Sequence, residues 1–358
     1  MNKHGGYFGN QKDMLDFSVN LNPLGFPEAA RAFMLEELQR LEHYPEPHSI
    51  EARAAIAQKL LVHSDQIIMG NGATELIYLF ARAVKAKKVM LLQPTFNEYE
   101  RAFLQYGAQC IYHVLKPEDG FSLNLEHLQA EILENKPEVV VLCNPNNPTG
   151  SYIEKEQIQH ILCTLSTYSG YLMVDESFYE FEDQPTALSL LTAKNLFLIR
   201  SMTKFYAIAG IRLGYGLGHT SLIQRLNTFK EPWTLNAFAS HMVPYLLGDT
   251  DYYIQTCQWY HEEKAYLRAH LKAISFLKVF ATHANFFLCY TALGSQELMN
   301  KLIEKGIYIR TCEDFCGLEK NYIRLALRSR QENDRLIQAL NDIQTKYEEH
   351  SLEENYVI

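Results

Sequence analysis

The chain has 358 residues, 47% of them hydrophobic, with 33 basic and 42 acidic side chains and a net charge of −9. That length supports a sizeable core and points to two domains, and the hydrophobic share excludes wholesale disorder. The charges are scattered without a basic block, which argues against nucleic acid or an anionic membrane as a partner.

Residues 1–27 read as a loop-like arm, polar and Gly-rich at its start, with neither a signal peptide nor a transit peptide. A helix is expected over 29–41, and Pro45 and Pro47 end it. From Ser49 the pattern alternates. Helices are expected over 50–61, 74–84, 97–106, 125–134 and 154–166. Strands are expected over 66–69, 89–92, 110–114, 139–143, 171–174 and 196–199. The run 139–143 is apolar without alternation, as in a strand buried on both faces. This β-α alternation predicts an α/β fold with a mostly parallel sheet covered by helices on both sides.

After Trp233 the character changes. Helices are expected over 236–247, 252–273, 295–305 and 332–347, and strands over 277–281, 285–290, 307–310 and 322–327. These make a smaller α/β domain, 235–358, which the arm and first helix, 1–44, join; the large domain is 45–234. No apolar run approaches ~18 residues, so no membrane span is expected. The seven cysteines are odd in number and contain no CxxC pair, which suits reduced thiols in a cytoplasmic protein. His261-Glu262-Glu263 lacks a second His at Ala265, and the remaining histidines are scattered. They read as surface or core residues, so no metal is expected.

In a parallel sheet, ligands sit at the carboxyl ends of the strands. Those ends carry the unusual polar residues: Gly70-Asn71-Gly72-Ala73, Asn144 to Gly150, Asp175-Glu176-Ser177-Phe178, and Ser201-Met202-Thr203-Lys204 with Arg212 eight residues on. A lysine ending a buried strand loses hydration, so its neutral amine becomes available as a nucleophile. Two hydroxyls, a guanidinium and the helix opening at Ala73-Thr74 suit a phosphate. An amine beside a phosphate cup suggests a Schiff base with an aldehyde that bears a phosphate, namely pyridoxal phosphate. Asp175 is placed to keep a pyridine nitrogen protonated, and Asn147 to donate to the ring hydroxyl. Each residue alone also has an ordinary reading. Lys204 and Arg212 suit a solvated loop, Asp175-Glu176 a helix cap or a metal pair, and the Asn-Pro steps plain turns. A dinucleotide fingerprint fails because Glu75 stands where a third glycine is needed.

Asn-Asn-Pro-Thr-Gly at 146–150, Asp-Glu-Ser-Phe at 175–178 and Ser-Met-Thr-Lys with Arg212 resemble fold-type I pyridoxal-phosphate enzymes. Within these, the chain resembles the histidinol-phosphate aminotransferase branch, and in that branch the threonine-phosphate decarboxylases of cobalamin biosynthesis. The narrower likeness rests on His4-Gly5-Gly6, Asp16 to Gly25, Gly70 to Ala73, Pro94 to Arg101 and Ile323 to Arg328. The resemblance implies that Lys204 binds the cofactor covalently, Asp175 pairs its ring nitrogen, Asn147 contacts its ring hydroxyl and Phe96 stacks on the ring. It implies that Ala73, Thr74, Ser201, Thr203 and Arg212 hold the phosphate. Tyr44 matches a tyrosine that reaches the neighbouring subunit's cofactor phosphate, which implies a homodimer. Arg324 matches an arginine for a substrate acid group, with His4, Asn22 and Arg328 as further candidates for the substrate phosphate. The implied activity is decarboxylation of O-phospho-L-threonine, or of O-phospho-L-serine, with a histidinol-phosphate-type or other aminotransferase as the alternative. Aminotransferases of this branch carry a tyrosine where Phe178 stands, and loss of that phenol weighs against simple transamination. Tyr179 would point to the opposite face of an extended segment.

Overall fold

The computed structural model describes residues 5–7, 9, 13–182 and 184–355, with the side chains of 350–355 excepted. His4 lies outside the described residues. The strands in chain order are β1 (Leu15–Asp16), β2 (Ile67–Asn71), β3 (Lys88–Gln93), β4 (Gln109–Val114), β5 (Val139–Cys143), β6 (Tyr171–Asp175) and β7 (Leu196–Ser201). They continue with β8 (Leu213–Gly218), β9 (Leu277–Val279), β10 (Phe286–Thr291), β11 (Ile307–Tyr308), β12 (Arg310–Thr311) and β13 (Tyr322–Ala326).

Seven strands form one sheet in the order β2-β8-β7-β6-β5-β3-β4. Five of them, β3 to β7, run parallel, and β8 runs antiparallel between β2 and β7. Every residue of β5 is buried, as expected for a Val-rich strand with helices on both faces. The apolar core continues beyond this sheet into the second region, from Phe17 to Ile343.

β8 was not expected from the sequence. Its glycines at 214, 216 and 218 weaken a strand by ordinary propensity. Packing explains them: a Cβ on Gly214 would stand 2.7 Å from the Ala73 backbone nitrogen, and one on Gly216 would stand 2.6 Å from the Phe197 ring. The helix expected over 236–247 divides into Ala237–His241 and Val243–Gly248. Pro244 opens the second piece, where a proline in the first turn costs no helical hydrogen bond.

The second region is a four-stranded antiparallel sheet, β12-β13-β10-β9, flanked by the long helices Thr250–Lys272 and Arg330–Asn355. The arm is tied to it. β1 pairs in parallel with β11, and the Ala326 N–H donates to the Phe17 carbonyl at 2.9 Å. Helix Glu28–Glu37 instead packs against the helices at 237–248. No helix among the described residues is long and apolar enough to cross a membrane.

Candidate active site

A cavity of about 330 Å³ opens where the ends of β5, β6 and β7 face the arm and the second sheet. Lys204 stands in it, half-buried. Loss of hydration lowers the lysine pKa, Asp175 and Cys143 oppose that shift, and Arg212 and Arg324 reinforce it. The amine therefore gives up its proton more readily than a solvated lysine.

Asp175, at the end of β6, is buried and held by two donors. The Tyr99 hydroxyl donates to Oδ2 at 2.8 Å and the Ser177 N–H to Oδ1 at 2.9 Å. Tyr99 is fully enclosed, and burial, with the Asp175 charge, holds its phenol well above the ordinary value. It stays protonated and donates.

A second group of residues forms a cradle. Helix Gly72–Val84 presents its N-terminus beside β8, with Ala73 and Thr74 on the cavity wall. Arg212 adopts a left-handed backbone at φ 61°, and its Nη2 lies 2.5 Å from where a Cβ on Gly72 would stand. Only glycine lets the guanidinium sit over the helix start. Ser201 and Thr203 complete the wall, their hydroxyls 2.8 Å apart. A helix N-terminus, two hydroxyls and a guanidinium form a dianion site.

The third group is positively charged. Arg324 on β13 donates from Nη2 to the Ser18 carbonyl at 2.8 Å and from Nη1 to the Asn147 side-chain oxygen. Burial lowers its pKa to about 10, so it remains a cation at neutral pH. Arg310 on β12 also lines the cavity, with its guanidinium on Asp314 at 2.7 Å. Three cavity-lining residues have buried polar atoms without a hydrogen-bond partner among the described residues: Asn20 Oδ1, Ser177 Oγ and Arg324 Nε. Such atoms are costly in a filled core and are expected where a polar ligand binds.

The structure thus brings Ala73, Thr74, Phe96, Asn147, Asp175, Ser201, Thr203, Lys204, Arg212 and Arg324 to one cavity. Asn22 and Arg328 are not on its wall. The Asn22 amide donates to the Phe205 carbonyl, Tyr252 and Thr256, and its oxygen accepts from the Leu24 N–H. That leaves it no free group for a substrate phosphate. Arg328 is turned to Glu332 at 2.6 Å. Tyr44 is 85% exposed and lies against Trp233, outside its own chain's cavity. Phe178 packs edge-on against Phe286, with its ring centroid 5.3 Å from Lys204 Nζ. Tyr179 lies elsewhere, its ring on the buried Arg200 guanidinium at 3.8 Å.

Sequence reasoning missed Tyr99, Asn20, Ser18 and Arg310. Tyr99 lies in the same 94–101 motif as Phe96, three residues on, which could have shown it. No local signal marks Arg310.

Pyridoxal phosphate fits these donors. The phosphate would lie in the cradle of Ala73, Thr74, Ser201, Thr203 and Arg212, the aldehyde at Lys204 and the ring nitrogen at Asp175. With its oxygen taken by Arg324, Asn147 keeps its amino end to donate to the ring hydroxyl.

The fold and this site define an α/β enzyme with a lysine at the end of a parallel strand. The chain belongs to the aminotransferase class I and II family, whose profile matches residues 12–340. A relative from Caldanaerobacter subterraneus subsp. tengcongensis, provisionally named a threonine-phosphate decarboxylase, is 39% identical over 92% of this chain and 89% of its own. The threonine-phosphate decarboxylase of Salmonella typhimurium is 33% identical over 93% of this chain and 92% of its own. The crystal structure of the histidinol-phosphate aminotransferase from Clostridium acetobutylicum superposes with a TM-score of 0.87 at 30% identity. It covers 93% of this chain and 100% of that one. The fold is accordingly the fold-type I architecture of pyridoxal-phosphate enzymes.

Proposed function

We propose that this protein is a pyridoxal-phosphate-dependent decarboxylase of O-phospho-L-threonine that yields an amino-alcohol phosphate for cobalamin biosynthesis. The observation that carries the reading is a single cavity holding Lys204, Asp175, a dianion cradle and two further arginines, Arg310 and Arg324. One dianion site serves the cofactor, and the second cationic wall suits a substrate with an acid group of its own. The similarity to threonine-phosphate decarboxylases supports the substrate.

When bound, pyridoxal phosphate supplies an electron sink for the bond that breaks at the substrate's α-carbon. Asp175, fixed by Tyr99 and Ser177, would pair with the ring nitrogen and keep it protonated. Arg324, with Arg310 beside it on the same wall, would bind the substrate's anionic groups and orient the carboxylate that is lost. The bond from the α-carbon to the carboxylate breaks and carbon dioxide leaves. Lys204 Nζ delivers the proton that replaces it. Phe178 offers no phenol to the ring hydroxyl, which weighs against simple transamination.

The exposure of Tyr44, beside exposed Leu38, Leu41 and Trp233, supports a homodimer in which Tyr44 reaches the partner's phosphate cradle. The pairing of β1 with β11 supports assigning the arm to the smaller region, 235–358, beside a large domain at 45–234. Seven free thiols support a cytoplasmic location.

The test incubates holoenzyme with O-phospho-L-threonine, and separately with O-phospho-L-serine, and measures carbon dioxide. Histidinol phosphate with 2-oxoglutarate is run in parallel, and glutamate is measured. Carbon dioxide from the threonine substrate is expected. Glutamate without carbon dioxide rejects the reading in favour of an aminotransferase.

A further inference from the structure

Two histidines fourteen residues apart in sequence meet at the edge of the large sheet. His113 comes from the edge strand β4 and is 4% exposed. His127 and Glu131 come from helix Leu125–Asn135, one turn apart. The Glu131 carboxylate lies between the two rings, with Oε2 2.7 Å from His113 Nδ1 and Oε1 3.3 Å from His127 Nε2. The ring centroids are 5.3 Å apart. One nitrogen of each ring and a carboxylate oxygen lie within 4.8 Å of one another.

We propose that His113, His127 and Glu131 bind a divalent transition-metal cation of the zinc class. The donor chemistry is two imidazoles and one carboxylate, the set that holds zinc with a remaining position open to water. Ligands of a tetrahedral zinc, at ~2.0–2.2 Å from the metal, stand roughly 3.3 Å from one another. The two separations measured to Glu131, 2.7 and 3.3 Å, lie at or below that spacing, and the three donor atoms lie within 4.8 Å of one another, so side-chain adjustment can close them on one ion. Two ligands share one helix face and the third sits on a hydrogen-bonded strand, so the backbone fixes their approach. His127 is 63% exposed and gives the ion a path from solvent, while His113 closes the inner side. Without a cation, the Glu131 carboxylate lies against one nitrogen of each imidazole. With one, both nitrogens present lone pairs, and the ion pins the edge strand to its helix. None of the three residues lines the Lys204 cavity, and this inference does not depend on the proposed reaction.

The experiment titrates untagged holoenzyme with Zn²⁺ by calorimetry, alongside His127→Ala and Glu131→Gln. Wild type is expected to take up Zn²⁺ at one site per chain that each variant weakens at least ~10-fold. Co²⁺ should give visible d–d bands that His127→Ala abolishes. Zn²⁺ should raise the melting temperature of wild type and not that of His127→Ala, because binding to the folded state stabilises it. Both positions are away from the cavity, so decarboxylation should be unchanged in the metal-free variants. Uptake and melting shifts identical in wild type and both variants would overturn the proposal. So would the absence of stoichiometric uptake by wild type.

Discussion

The two walls of the Lys204 cavity are built in different ways. One wall is the ends of β5, β6 and β7 with the start of helix Gly72–Val84, where Asp175 and Ser201 end their strands and Asn147, Thr203 and Lys204 follow theirs by a few positions. The other wall is the arm at Ser18 to Leu21 facing Arg310 and Arg324. The bond from Arg324 to the Ser18 carbonyl spans 306 residues of sequence. The first wall is held by the backbone ladder of the sheet. The second adds side-chain ties to the short backbone pairing of β1 with β11: Asn285 on the Asn20 carbonyl at 3.0 Å, and Asn22 on Phe205, Tyr252 and Thr256. Chemistry placed on the first wall should survive loss of any one neighbour, whereas recognition on the second depends on how the arm is tied down.

The largest effect is expected at the first wall. Lys204→Ala should lower kcat by on the order of 10³-fold, the scale for losing a positioned proton donor. Borohydride treatment of wild type with the cofactor should leave an adduct on Lys204, and an adduct on another lysine instead would contradict the site. At the second wall, Asn22→Ala should cost stability rather than chemistry. It leaves buried groups around Phe205, Tyr252 and Thr256 without their partner, a loss of about 2–3 kcal/mol. Urea unfolding reads this, with kcat per folded molecule retained; a variant of unchanged stability would remove the distinction between the walls.

Tyr99→Phe tests how far the first wall is independent of its support. It deletes one of the two hydrogen bonds on Asp175 and should lower kcat about tenfold, that is ~1.4 kcal/mol. The cofactor absorbance should also shift with pH differently from wild type, which a purely structural role would not produce. The smallest effect is at Glu182, which joins the two regions through Lys264 at 3.0 Å and His283 at 3.0 Å. Burial alone would raise its pKa, but hydrogen bonds from His283 and Lys264 prevail and bring it to about 2. Its stabilisation is therefore present above the ordinary carboxylate range and lost as pH falls toward 2. Glu182→Gln should cost about 1 kcal/mol at pH 7, and its unfolding free energy should approach that of wild type as pH falls through the acid range.

Much of the first wall was legible in the sequence. Asn147, Asp175, Ser201, Thr203 and Lys204 follow apolar runs whose length and lack of alternation mark them as buried strands. β8 was hidden because its glycines satisfy close contacts with Ala73 and Phe197, which local propensity does not record. At the second wall the sequence offered Asn22, and not Asn20, as a candidate. Its side-chain oxygen caps the Pro23-Leu24 turn and its amide is used by helix Thr250–Lys272, while the Asn20 oxygen is left without a partner among the described residues.

The order of apolar runs and the residues that end them were enough to determine a mostly parallel α/β sheet with Asp175 and Lys204 at its strand ends, because strand burial and strand-end position are properties of short segments. Tertiary structure alone decided that Arg310 joins Arg324, that Asn22 is a strut, and that His113, His127 and Glu131 meet. Those choices are set by contacts between distant segments, and a distance across space leaves no period in the chain.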